Sequence, residues 1–216
     1  MGQRIENKRI ISSDRVRKPR KQKNNIIIAV EGKNKTEKIY FNNFDNGKRN
    51  YSISFAKGNY TDPLNLVKIL AKEINKLELD LTDGDEAYCI FDVDIDSSKN
   101  SIISEARKLA SSYNIKIISS TPSIELWFLL HYEYTTASMN NKNLINRLKK
   151  YYHNYDKNVD IYLDISDKTD KAIKNAKKLE KYQLDNGMVI GTVEANPNTE
   201  VYKIVEELLK KQTDEQ

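Results

Sequence analysis

Five consecutive apolar residues, Ile26, Ile27, Ile28, Ala29 and Val30, stop abruptly at Glu31 and Gly32, and this stretch constrains the fold more than any other. A run this short, without polar alternation, is too brief for a stable helix and suits a strand covered on both faces in a parallel sheet. Just beyond it Thr36, Glu37, Ile39, Tyr40 and Phe44 recur at helical spacing, so the chain turns from strand to helix within a few residues. Glu31 is thereby delivered to the C-terminal end of a buried strand, the edge where open α/β sheets bind ligands and carry chemistry. A solvated or salt-bridged loop acid is the alternative reading of the same residue.

The step from strand to helix then repeats. Tyr51, Ile53 and Phe55 alternate with smaller or polar residues as a second strand; Asp62 caps and Pro63 opens a helix with Leu64, Val67, Leu70, Ala71, Ile74 and Leu77 on its apolar face. Ala87 to Phe91 make a third strand that runs into Asp92, Asp94 and Asp96. Ile102, Ile103, Ala106, Leu109, Ala110 and Tyr113 come next at helical spacing, and Ile115, Ile117 and Ile118 form a fourth strand. Alternation of this kind predicts an α/β fold: a mostly parallel four-stranded sheet flanked by helices with right-handed crossovers. At the next junction, STPSIELWFLLHY, Ser120 or Thr121 can cap and Pro122 can open a helix with Glu125 in its first turn.

Beyond residue 135 the periodicity is helical only, through Leu144, Ile145 and Leu148, then Ala172, Ile173, Ala176 and Leu179, then Val201, Ile204, Val205, Leu208 and Leu209. This half is expected to form a C-terminal helical cover, while the tyrosine-rich stretch 151–167 has no clear period. The predicted organisation is a basic arm over residues 1–24 and a single domain over 25–212, with an α/β core over 25–134 and a mainly helical extension over 135–212.

Charge separates the arm from the body. The chain is +5 overall, yet its first 25 residues hold nine Lys or Arg against Glu6 and Asp14, which leaves the remainder slightly negative. Arg15, Arg17, Lys18, Arg20 and Lys21 are candidate phosphate contacts, although a solubilising leader has the same composition. Lys171, Lys174 and Lys178 recur along one helix face opposite Ala172, Ala176 and Leu179 and are further candidates for nucleic-acid binding. No apolar run is long enough to span a bilayer and the start lacks the apolar core of a secretory signal, so a cytoplasmic protein without membrane contact is expected. A homo-oligomer is left open.

Asp92 and Asp94 point to the same side if the strand persists and rim its end if it stops, so the pair can share a hard cation. If the first and third strands are neighbours, Glu31 joins them in an all-oxygen ligand set. With Cys89 the only cysteine and His131 and His153 the only histidines, zinc is disfavoured, and one or two magnesium or manganese ions suit the acids better. Helix capping by Asp94 or Asp96 is the competing reading.

A glutamate after one apolar strand and an acid-x-acid after another some sixty residues on resembles the Toprim fold. EGKNKTEKIYF, FDVD, STPSIELWFLLHYE, YDK at Tyr155 to Lys157 and NPNTEVYKIVEELL extend the likeness over nearly the whole chain, which resembles the RloB-like family. Thr121 and Ile124 stand where relatives more often have Asn and Phe, and Asp96 adds an acid. The resemblance implies a Toprim-type nuclease of an antiphage (abortive-infection) defence system, a hydrolase paired with an ABC-type ATPase. It further implies Glu31 as metal ligand or general acid/base, Asp92 and Asp94 as the metal-binding pair, Ser123 and Glu125 as a second acidic motif, and Lys157 as a stabiliser of phosphate charge. Ser123 as a helix cap and Lys157 as a solvated loop lysine are the plainer readings. The competing function is a non-catalytic nucleic-acid-binding or regulatory subunit of such a complex. Neither GxxxxGK[ST] nor GxGxxG occurs among the 7 glycines, so coupling to ATP would come from the partner, docked on the late helices around 200–210.

Overall fold

The computed structural model describes residues 23–32, 35–45, 50–58, 62–93 and 100–213. The apolar run is strand β1 (Asn24–Val30), and it lies between β2 (Tyr51–Phe55) and β3 (Glu86–Asp92), both parallel to it. Strand β4 (Lys116–Thr121) pairs parallel with β3. The expected four parallel strands are therefore present. A short fifth strand, β5 (Asn198–Thr199), adds antiparallel to β4 and gives the order β2-β1-β3-β4-β5. Two residues behind Pro197 are too few to show a strand period, which is why only the structure reveals this edge.

Alternation along the strands divides the core into two layers. Ile27, Ala29, Ala87, Cys89 and Phe91 face helices α2 (Pro63–Lys76) and α3 (Asn100–Ser112). Ile26, Ile28, Tyr88, Ile90 and Ile118 face the other layer, built from α1 (Lys35–Asn42), α4 (Glu125–Leu130), α5 (Asn141–Leu148), α6 (Tyr162–Ile165), α7 (Thr169–Asp185) and α8 (Val201–Thr213). Asp62 caps α2 as expected, accepting the Asn65 N–H at 2.9 Å. Leu77, expected on the apolar face, is 49% exposed because the helix has already ended there, and Leu66 is buried instead.

Helix α4 is the pivot of the second layer, since all six of its residues are buried. It begins at Glu125 rather than at Pro122: Ser120 and Thr121 still belong to β4, and a cis peptide joins Thr121 to Pro122. Neither residue therefore caps it. The Trp127 indole N–H donates to the Tyr40 hydroxyl at 2.8 Å and ties α4 to α1. Helices α7 and α8 complete this layer with Ala172, Ala176, Leu179, Ile204, Val205 and Leu208 buried. No described helix is long and apolar enough to cross a membrane.

The burial of Leu208 makes α8 part of the core and not a detachable cover. Leu208→Ala is expected to lower stability by about 2–5 kcal/mol in urea unfolding; a loss under about 0.5 kcal/mol, the scale of surface substitutions, would show that α8 is only docked.

Candidate functional site

Parallel pairing decides where the acids meet. Val30 stands opposite Ile90, so the residue after β1 and the residue that ends β3 emerge together at the C-terminal edge of the sheet: Glu31 from the first, Asp92 from the second. Gly32 adopts φ +63°, a left-handed conformation that side chains disfavour, and lets the chain leave the edge directly after Glu31. On the other side Asp92 pairs with Ser120 of β4, which brings Ser123 and Glu125 to the same edge.

The contacts there are specific. Asp92 Oδ1 accepts the Ile124 N–H at 3.0 Å, joining the end of β3 to the approach to α4. Glu125, 1% exposed, accepts from Ser123 Oγ at 2.6 Å on Oε2 and from the Tyr155 hydroxyl at 3.0 Å on Oε1. Ser123 therefore orients an acid instead of capping a helix. Lys157 Nζ lies 3.9 Å from Glu125 Oε1, and the Lys157 carbonyl accepts from Thr36 Oγ1 at 2.8 Å, which pins this loop to the start of α1. Glu37 faces inward from α1 beside Tyr40, Phe41 and Phe44 and is 1% exposed.

Burial and like charges act together at this edge. Burial raises Glu37 to about 7, with Glu125 and Glu31 adding to the rise and a backbone hydrogen bond and Lys157 opposing it. Burial also lifts Asp92 well above the ordinary carboxylate range, helped by Glu37, Glu125 and Glu31 and opposed by the Ile124 N–H. Four carboxylates thus act on one another in a site that water solvates poorly. The other end of β3 is the control. There Glu86 is also partly buried, which alone would raise it, but hydrogen bonds from Lys116, Lys211 and Tyr88 bring it down to about 2. Glu200 of the NPNTE segment is likewise structural, buried against Arg107 at 2.8 Å, Ser119 Oγ at 2.6 Å and Lys203 at 2.9 Å.

Glu31, Asp92, Ser123, Glu125 and Lys157 are thus gathered in one place. Asp94 and the arm residues Arg15, Arg17, Lys18, Arg20 and Lys21 lie outside the described residues. Lys171, Lys174 and Lys178 sit on the exposed face of α7, where Lys171 and Lys178 meet the Tyr132 carbonyl and the Tyr134 ring rather than the acids. Two site residues emerge only from the structure. Glu37 is hidden in the helical pattern, although an acid at the buried spacing 37, 40, 41, 44 is itself a signal; Tyr155 lies in a segment without periodicity.

An all-oxygen, like-charged set with Lys157 beside it fits a hard divalent cation in donor type. As placed, no three His, Cys, Asp or Glu among the described residues stand close enough to hold a metal ion, so a full ligand set calls for Asp94 or for a small rearrangement of the carboxylates. The family model for RloB-like protein matches residues 26–208, from the first strand into the last helix. The chain belongs to the RloB-like family. No curated protein and no solved structure matches it significantly. The family match spans every acid of the edge, including Glu37 and Glu125.

The electrostatics make a signed prediction. Glu37 ionises near 4.5 when unfolded and near 7 when folded, so the stability it gains by keeping its proton is complete below pH 4.5 and lost as pH rises towards 7. Glu37→Gln cannot ionise, and its stability relative to the parent should improve by on the order of 3 kcal/mol between pH 4 and pH 8. Urea unfolding of both proteins across that range measures it. A difference that stays constant with pH would remove the buried, repelled carboxylate from the account.

Proposed function

We propose that this RloB-like chain is a metal-dependent nuclease that hydrolyses phosphodiester bonds in DNA or RNA, tRNA included, as the effector of an antiphage defence system. The observation that carries the reading is the convergence of Glu37, Asp92 and Glu125 with Glu31 at the C-terminal edge of adjacent parallel strands. Family membership and the Toprim-like order of the acids support it. Magnesium or manganese, as one or two ions held by Glu31, Asp92, Asp94, Ser123 and Glu125, would supply an activated water and stabilise charge on the phosphate oxygens.

The chain's own residues have separable tasks. The Ile124 N–H fixes Asp92, while Ser123 and Tyr155 each hold one oxygen of Glu125 and so set its plane. Glu37, raised to about 7, can take up or return a proton near neutral pH. Lys157, with half of its side chain exposed, offers a positive charge to a phosphate entering the edge. Because neither nucleotide-binding glycine motif occurs in the chain, ATP dependence would come from an ABC-type ATPase, and pull-down from the native host should recover one.

A second reading, a non-catalytic nucleic-acid-binding or regulatory subunit, draws on the exposed lysine face of α7. Cleavage separates the two. Incubation with mixed nucleic acids and magnesium should yield products that Glu31→Gln and Asp92→Asn, folded as judged by circular dichroism, fail to produce. Equal cleavage by parent and both variants would refute the nuclease reading, and a parent that binds but never cuts would favour the subunit.

A further inference from the structure

Tyr132 and Tyr151, brought together from the end of α4 and the segment after α5, stack with centroids 5.0 Å apart and planes within 6°. Tyr151 is 44% exposed, which leaves part of the residue accessible to a further planar group. Tyr134, two residues on, lies under Lys178 with Nζ 4.2 Å from the ring centroid. Lys171 Nζ is 2.6 Å from the Tyr132 carbonyl, and Lys174 occupies the same exposed face of α7 between the two. Among the described residues none of Lys171, Lys174 and Lys178 has a carboxylate in ion-pairing range. The acids beside the rings are mostly neutralised. Glu133 pairs with Arg147 and accepts from the Tyr151 hydroxyl at 2.8 Å, and Asp167 pairs with Lys168 at 2.8 Å, leaving Asp164 on the Lys168 side.

We propose that this tyrosine and lysine surface binds a single strand of nucleic acid, with a base stacked on Tyr151 and phosphates on Lys171, Lys174 and Lys178. Aromatic faces serve every base, and a row of lysines without carboxylate partners tracks a backbone, which together make a sequence-tolerant single-strand site. A duplex keeps its bases stacked inside and cannot use the rings. The surface is tied to the acid edge by two short connections. Glu125 and Tyr132 are seven residues apart along α4 and its last turn, about 10 Å at helical rise. Tyr151 leads within six residues to Tyr155 and Lys157, which contact Glu125. At about 3.4 Å per stacked nucleotide, roughly three nucleotides cover that distance. The inference deepens the nuclease reading but does not need the chemistry, since the surface would deliver a strand to the acids whether or not they cut it.

The test uses the full chain in EDTA, where cleavage plays no part, with fluorescence anisotropy of labelled oligo-dT, oligo-U and a duplex of equal length. Tight binding of at least one single strand and weaker binding of the duplex are expected. Tyr151→Ala should weaken single-strand binding by about tenfold, with Tyr151→Phe close to the parent. Lys178→Glu should lower the salt slope by about one unit. No single-strand binding by the parent, a preference for duplex, or indifference to these substitutions would each overturn the proposal. Failure of cleavage alone, with binding intact, would count against the nuclease reading and leave this surface standing.

Discussion

Burial of carboxylates that the sheet forces together, with repulsion between them added, is the constraint on which the rest of this structure depends. Glu31 and Asp92 meet because β1 and β3 are parallel neighbours that end side by side, and Glu37 and Glu125 are brought in by the helices that come after β1 and β4. Separated in water, such groups would ionise freely; packed here, Glu37 and Asp92 hold their protons far above the usual range. The arrangement persists because the packing around it is extensive. Helix α4 is buried on all sides, Trp127 bonds Tyr40 across to α1, and Thr36 holds the Lys157 loop in place.

The two ends of β3 show that this is a property of placement and not of residue type. Glu86 at one end is surrounded by Lys116, Lys211 and Tyr88 and stays ionised; Asp92 at the other has Glu31, Glu37 and Glu125 for neighbours. A stabilising role suits the first carboxylate. The second costs stability unless a cation joins it, as expected where function rather than folding sets the residue. Glu200 belongs with Glu86, since its partners Arg107 and Lys203 bring its pKa down despite burial. The opposite directions of the shifts therefore set Glu37 and Asp92 at the acid edge apart from Glu86 and Glu200, which are held by cations.

Much of this is legible in the sequence, and the limits have physical causes. Glu31 and Asp92 are readable because each terminates an apolar strand, and alternating strands and helices decide which edge they share. Ser123 and Glu125 are readable only through family resemblance: local rules point to a helix opened at Pro122, whereas β4 continues to Thr121 and the serine bonds the glutamate. Glu37 is obscured because a helical period registers position and not chemistry. Tyr155 and β5 lie in stretches too short or irregular to carry a period, and their places are set by tertiary contacts with Glu125 and β4. Leu77 shows a smaller failure of the same kind, where the apolar spacing continues one step past the end of the helix.

Whether these acids form one cation site is tested most directly by manganese binding, read by electron paramagnetic resonance at neutral pH. The parent chain should take up one or two manganese ions, and Glu31→Gln and Asp92→Asn should each weaken that uptake by about tenfold or more. Glu86→Gln, at the opposite end of β3, should leave it unchanged. No uptake by the parent, or uptake indifferent to Glu31 and Asp92, would contradict a shared cation site.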